Sequence, residues 1–411
     1  MAMVVLPVSA ALLLAPSAAT AVTQQSRPNR GWVAAWATAQ VAGSAVPGST
    51  CPAGDGLTDQ TVRNVLFVST GGDHVRVRVT NSFGARSLRI GHVTVARQGD
   101  GAAAVPGTVR ELTFGGRRSV ILAPGARELS DPVPLNVAPL STLLVTVHVP
   151  GPTGPVTNHP FTAQGNYLAA GDRASLASGA GFADTPCWML VDGVDVTASR
   201  RVEGSVVAFG DSITDTANTT GNANHRWPDF LSRRLDAVRG PTLSVVNAGL
   251  GGNRLLADRP GQPYYGVAGV NRLDRDVFEQ TGVRGMILLE GINDIGYNAV
   301  APDIIAGYRQ VVRSAHAHGV RIYGATLTPM GGSFMDTPEQ RQTWLDVNAW
   351  IRTGGAFDGV LDFAAATASK VDSGTLNPAY DSGDHLHPND AGTRAMADAV
   401  DLKMLLAPVR R

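Results

Sequence analysis

Hydrophobic and polar positions alternate through the first half of the chain and gather into longer apolar runs in the second. His74-Val75-Arg76-Val77-Arg78-Val79 alternates strictly, which predicts a strand with its valines on one face and its polar residues on the other. Leu143, Val145, Val147 and Val149 repeat the device, and apolar stretches at 62–68, 88–95 and 119–122 predict further strands. Gly71-Gly72-Asp73, Gly115-Gly116 and Pro150-Gly151-Pro152 supply turns between them. No helical period interrupts the segment from Trp32 to about Val202. Many short strands with Gly/Pro turns predict an antiparallel β-sandwich of jelly-roll-like type.

After about Ser205 the rhythm changes. Short apolar strands are expected at 205–209, 243–246, 285–289, 320–327 and 359–363, alternating with helices at 303–318, 338–352 and 388–405. Trp227, Phe230, Leu231, Leu235 and Val238 share one helical face, and Pro228 suits a first turn. Continuous apolar strands between amphipathic helices predict a parallel sheet covered on both faces, hence the α/β class. The change of period divides the chain into a β-domain over 22–202 and an α/β domain over 203–411.

Composition adds limits. The 411 residues carry 34 basic and 34 acidic side chains, so no basic footprint for nucleic acid spans the chain. Met3–Ala15 is nearly all apolar and leads to Ala19-Thr20-Ala21, an h-region and cleavage pattern that predicts a signal peptide over 1–21 and a secreted protein. Pro7 and Pro16 break that run, and no later run reaches the ~20 apolar residues of a membrane span, so no stable membrane anchor is expected. Cys51 and Cys187 are the only cysteines. In an oxidising compartment they can form one bridge; the alternative is two unpaired buried thiols. They are too far apart in sequence to suggest zinc, and neither metal nor cofactor is expected.

Functional loops of an open α/β sheet leave the carboxyl ends of its strands. Here those loops read Gly210-Asp211-Ser212-Ile213-Thr214-Asp215, then Asn247-Ala248-Gly249-Leu250-Gly251-Gly252-Asn253, then Glu290-Gly291-Ile292-Asn293-Asp294. Asp384-His385-Leu386-His387 precedes the last helix. A serine hydroxyl needs a base to become a good nucleophile, and a histidine held by a carboxylate is such a base. Backbone amides and a side-chain amide can hold the oxyanion that follows attack. The Walker lysine motif and the G-x-S-x-G elbow are both missing, since Thr214 stands where the elbow needs glycine.

Together the four blocks resemble the SGNH (GDSL) hydrolase superfamily over roughly 204–405. The resemblance implies a flavodoxin-like three-layer α/β/α domain and a serine esterase or lipase without a cofactor. It makes Ser212 the nucleophile, His387 the base, Asp384 its carboxylate partner, and Ser212, Gly252 and Asn293 the oxyanion donors. Gly251 adjoins Gly252 and His385 adjoins the base block; Gly252 is an alignment choice, and His387 keeps the D-x-x-H spacing. Thr216 stands where family members often have glycine, and the polar loop to His225 is expected to shape the pocket rim rather than the machinery. Asp211 and Asp294 are read as loop-orienting, and His225, His316 and His318 as structural or solvent-facing. Trp32-Val33-Ala34-Ala35-Trp36-Ala37 and the alternating strands resemble the amino-terminal β-domain of some secreted bacterial SGNH proteins, a grouping linked to carbohydrate esterases. The implied substrate is a small-molecule or polysaccharide ester, and the polar loop over 214–224 favours short acyl groups. Lipase or lysophospholipase action, and an inactive carbohydrate-binding or adhesion protein, are the alternatives.

Overall fold

The computed structural model describes residues 31–407; the expected signal peptide lies outside them. Two antiparallel sheets fill the first half. One runs in the order Trp32–Ala37, Val191–Thr197, Gly72–Thr80, Arg127–Leu129, with Val133–Val137 also paired to Gly72–Thr80. The other centres on Gln60–Val68 and Ser141–Val149, flanked by Asn166–Ala170 and His92–Arg97. Val75, Val77 and Val79 from the first sheet and Val62, Leu66, Val145 and Val147 from the second meet in one core, as two apolar sheet faces must. The alternation of Gly72–Thr80 holds, with Val75, Val77 and Val79 buried. Ser141–Val149 departs from it: Leu144, Thr146 and His148 are buried as well. Leu144 packs in a second small cluster with Val65, Ala96 and Ala104, so both faces of this strand are covered. The apolar stretch at 88–95 is two strands, Leu88–Ile90 and His92–Arg97.

In the second half five strands form a parallel sheet in the order Thr242–Gly249, Val202–Gly210, Val283–Leu289, Arg321–Ala325, Gly359–Leu361, or 2-1-3-4-5 by chain position. Right-handed crossovers place helices made before and after a reversal of strand order on opposite faces. Trp227–Asp236, Phe363–Thr367 and Asp390–Asp398 pack together, and Ile292–Gly296, Ala301–Ala317 and Pro338–Thr353 pack together. Val206–Phe209, Met286–Leu289 and the apolar faces of these helices share one core. The expected last helix is two: Asp401 accepts from the Lys403 amide and caps a separate Leu402–Leu406 helix. No helix among the described residues is long and apolar enough to cross a membrane.

The strand Trp32–Ala37 joins the halves. A register shift between Ala34 and Trp36 lets Ala34 and Ala37 face the α/β core while Val33, Ala35 and Trp36 face the sandwich core. Ser244 Oγ donates to the Ala34 carbonyl at 2.7 Å, and the Ala34 amide donates to Thr281 O at 2.9 Å. Gly31 onward forms one compact unit. Cys51 and Cys187 are joined by a disulfide, with Cα atoms 5.7 Å apart.

Candidate active site

The first strand of the parallel sheet ends at Gly210, and the chain turns at once into the short helix Ser212–Asp215. Asp211 makes this turn: its carboxylate accepts from the Ile213 amide at 2.9 Å. Ser212 is thereby presented at the carboxyl rim, beside the break between strands 1 and 3 where open α/β sheets bind ligands. Its Oγ lies 2.8 Å from His387 Nε2, and His387 Nδ1 lies 2.7 Å from Asp384 Oδ2. The carboxylate can only accept, so Nδ1 carries the proton and Nε2 offers its lone pair to the serine hydroxyl. Asp384 also accepts from the amides of His387 at 2.8 Å and Leu386 at 3.0 Å. Partial burial pushes its carboxyl up, but these amides and the His387 ring outweigh it and hold the group down at about 2. His385 points elsewhere, with Nδ1 2.5 Å from Asp381 Oδ2.

The glycine pair is separated by its hydrogen bonds. The Gly251 amide donates to Asp215 Oδ2 at 2.7 Å, whereas the Gly252 amide has no acceptor among the described residues. Gly252 has φ +70°, and a Cβ there would lie within 2.3 Å of the Tyr265 ring, so glycine is required twice over. Asn293 stands opposite at the start of Ile292–Gly296. Its Oδ1 accepts from Arg259 Nη2 at 2.8 Å, and one Nδ2 proton goes to Asn253 O at 2.9 Å. Its amide orientation is therefore fixed, leaving a second proton to offer. Ser212, Gly252, Asn293 and His387 open onto a cavity of about 400 Å³ walled by Phe161, Tyr265, Tyr297, Phe334 and Leu386.

Three acids lie behind the serine. Asp294 is buried and accepts from the amides of Leu255 at 2.6 Å and Leu256 at 3.0 Å, pinning the second loop. Burial raises the Asp211 carboxyl to about 7, against the Ile213 amide that lowers it and with Asp294 adding to the rise. Glu290, fully buried, is pushed well above the usual range by burial and then by Asp211. Arg272 answers them from the loop before the third strand. It donates to Gly210 O at 2.9 Å, Ala248 O at 2.7 Å and Asn253 Oδ1 at 2.8 Å, bracing the ends of the first two strands together. Its Nη2 stands 3.4 Å from Glu290.

Two further residues enter the site unannounced by sequence. Asn218 donates to Asp384 Oδ2 at 3.1 Å and to Ser382 Oγ at 2.8 Å, so the polar loop reaches the carboxylate as well as the rim. Phe161 comes from the β-rich half and lies against Gly251. His225 pairs with Asp390, His316 with Asp358, and His318 stacks on Phe278. Among the described residues no group of His, Cys, Asp and Glu is disposed to hold a metal ion.

Residues 208–395 match the model of the GDSL-like lipase/acylhydrolase family. This region belongs to that family. The GDSL domain is thus of the esterase and lipase type, and the match takes in Ser212, Asn293, Asp384 and His387. Among solved structures, the chain is similar to the native aryl esterase of M. smegmatis, at 16% identity and TM-score 0.38, covering 47% of this chain and 95% of that one. It is similar to a GDSL-like lipase from Bacteroides thetaiotaomicron VPI-5482 at 17% identity and TM-score 0.37, covering 50% and 89%. A member of the lipolytic G-D-S-L family from Veillonella parvula DSM 2008 is similar at 19% identity and TM-score 0.34, covering 47% and 94%. No curated protein matched the chain.

Proposed function

We propose that this chain is a secreted serine esterase that hydrolyses carboxylic esters of short acyl groups, acetyl groups on polysaccharide among them. The observation that carries the reading is the hydrogen-bond chain from Ser212 Oγ to His387 Nε2 and from His387 Nδ1 to Asp384. Ser212 attacks the acyl carbon while His387 takes its proton, and Asp384 stabilises the imidazolium. The amides of Ser212 and Gly252 and the second Nδ2 proton of Asn293 hold the oxyanion. His387 returns the proton to the departing alkoxide, leaving an acyl-serine. Water, deprotonated by His387, then releases the acid and restores Ser212.

The Cys51–Cys187 bridge supports secretion, since such bonds persist in oxidising compartments. Thr216 and Asn218 of the polar loop line the cavity, which supports short acyl groups. A second reading, hydrolysis of lipid esters, is favoured by one feature: Phe334 is 82% exposed on the cavity wall. A series of p-nitrophenyl esters from acetyl to palmitoyl, with acetylated xylan as the polymer, separates the two. Under the first reading kcat/KM falls beyond short chains; a rise toward long chains supports the lipid reading. Ser212→Ala is expected to lower kcat by about four to six orders of magnitude with the fold intact. Turnover retained in that variant rejects both readings.

A further inference from the structure

The segment at 158–161 carries the β-rich half to the cavity of the GDSL domain. In it, Asn158–His159 pairs with Trp188–Met189, and the chain continues through Pro160 and Phe161 to the cavity wall. His159 is buried, with 1% of its surface exposed, and so is Asp215, with 2%. His159 Nδ1 lies 2.8 Å from Ala39 O; Nε2 lies 2.9 Å from Phe161 O and 2.9 Å from Asp215 Oδ1. Carbonyls and carboxylates only accept, so both ring nitrogens carry protons and the ring is an imidazolium paired with Asp215. Burial opposes that charge, but the Asp215 carboxylate and the two carbonyls reverse it and raise the ring above its usual pKa.

Asp215 spends its other oxygen on the catalytic side. Oδ2 accepts the Gly251 amide at 2.7 Å, one residue before the free amide of Gly252. The same turn is tied down by Asn247, whose Nδ2 donates to Thr214 O at 2.8 Å and whose Oδ1 accepts from Gly249 N at 2.8 Å. Asp215 is also only three residues beyond Ser212, on the same short helix. One carboxylate therefore fixes the distance between the serine and the glycine loop, and a buried cation from the other half of the chain holds that carboxylate in place.

We propose that His159 and Asp215 are positioning residues for the oxyanion loop, so that the β-domain is part of the hydrolase site. The proposal rests on the reading of Ser212 as nucleophile and Gly252 as oxyanion donor. Without the ion pair the Gly251 amide loses its fixed acceptor and the Gly252 amide its aim. An oxyanion donor acts only if it is already oriented when charge develops. The loss therefore falls on the transition state and spares ground-state binding.

The test uses the full chain carrying His159→Gln or Asp215→Asn, with p-nitrophenyl acetate as substrate and active sites counted by fluorophosphonate titration. Expected is a fall in kcat per titrated site of about ten- to hundredfold, with KM changed by less than about twofold. Affinity for a trifluoromethyl ketone, which adds Ser212 to give an oxyanion, should fall by the same factor as kcat/KM. Affinity for the matching methyl ether, which forms no adduct, should not change. Where His159→Gln does not fold, Asp215→Ser carries the same measurements. Unchanged kcat per site, or equal loss for ketone and ether, overturns the proposal. Ser212→Ala separates the failures: if it is inactive while His159→Gln matches wild type, only the positioning role is rejected; if Ser212→Ala stays active, the nucleophile assignment falls with it.

Discussion

Asp211 pairs a clear structural task with an electrostatic cost. Its Oδ1 caps the turn that presents Ser212, while its Oδ2 is buried without a partner among the described residues. Because burial lifts the carboxyl to about 7, the folded protein keeps a proton that the unfolded chain releases near the ordinary value of 3.8. Stability from this group is then complete at pH below about 4 and is lost as pH climbs toward 7. Asp211→Asn keeps the cap and cannot ionise, so its urea midpoint should decline less between about pH 5 and pH 8 than that of wild type. An equal decline in both proteins contradicts the assignment. The residues legible in sequence, Ser212, Asn293, Asp384 and His387, sit in short blocks whose local order carries the signal. Asn218, Arg272 and His159 were not legible, because Asp384, Gly210 and Asp215, which they respectively hold, lie 166, 62 and 56 residues away and meet them only through folding.

At the scale of elements, the two adjacent glycines after the second strand of the parallel sheet have different tasks. Gly252 needs a positive φ and space beside Tyr265, whereas a Cβ at Gly251 would press on the Phe161 ring at 2.8 Å, in ordinary backbone. An aromatic edge on a loop can shift; a backbone held in the left-handed region cannot adapt as easily. Gly252→Ala is expected to lower kcat by about a hundredfold or more, and Gly251→Ala by about tenfold at most. Steady-state kinetics on the two variants checks this, and the reverse order would move the donor to Gly251. Alternating valines revealed the strand Gly72–Thr80, and continuous apolar runs revealed the parallel sheet, because each period reflects which faces are covered. Sequence could not show the division of the last helix, since Asp401 interrupts an apolar pattern that reads on through Leu405. Phe363–Thr367 was too short to show a period.

Across the whole molecule, the change of period suggested two halves, and two large cores are present among the described residues. What periodicity could not convey is how closely they are joined. The shift in Trp32–Ala37 sends alternate small residues into different cores, and Arg78 Nη2 reaches Gln280 Oε1 at 3.1 Å while Thr281 Oγ1 reaches Asp195 at 2.7 Å. Through Phe161 and His159 this seam extends to the cavity beside Ser212. The central claim concerns that serine. Treatment of the full chain with a fluorophosphonate, followed by peptide mass spectrometry, tests it most directly. A single phosphonyl adduct on Ser212, formed in step with loss of esterase activity, is the predicted result; activity lost without an adduct on Ser212, or an adduct there with activity intact, would contradict it.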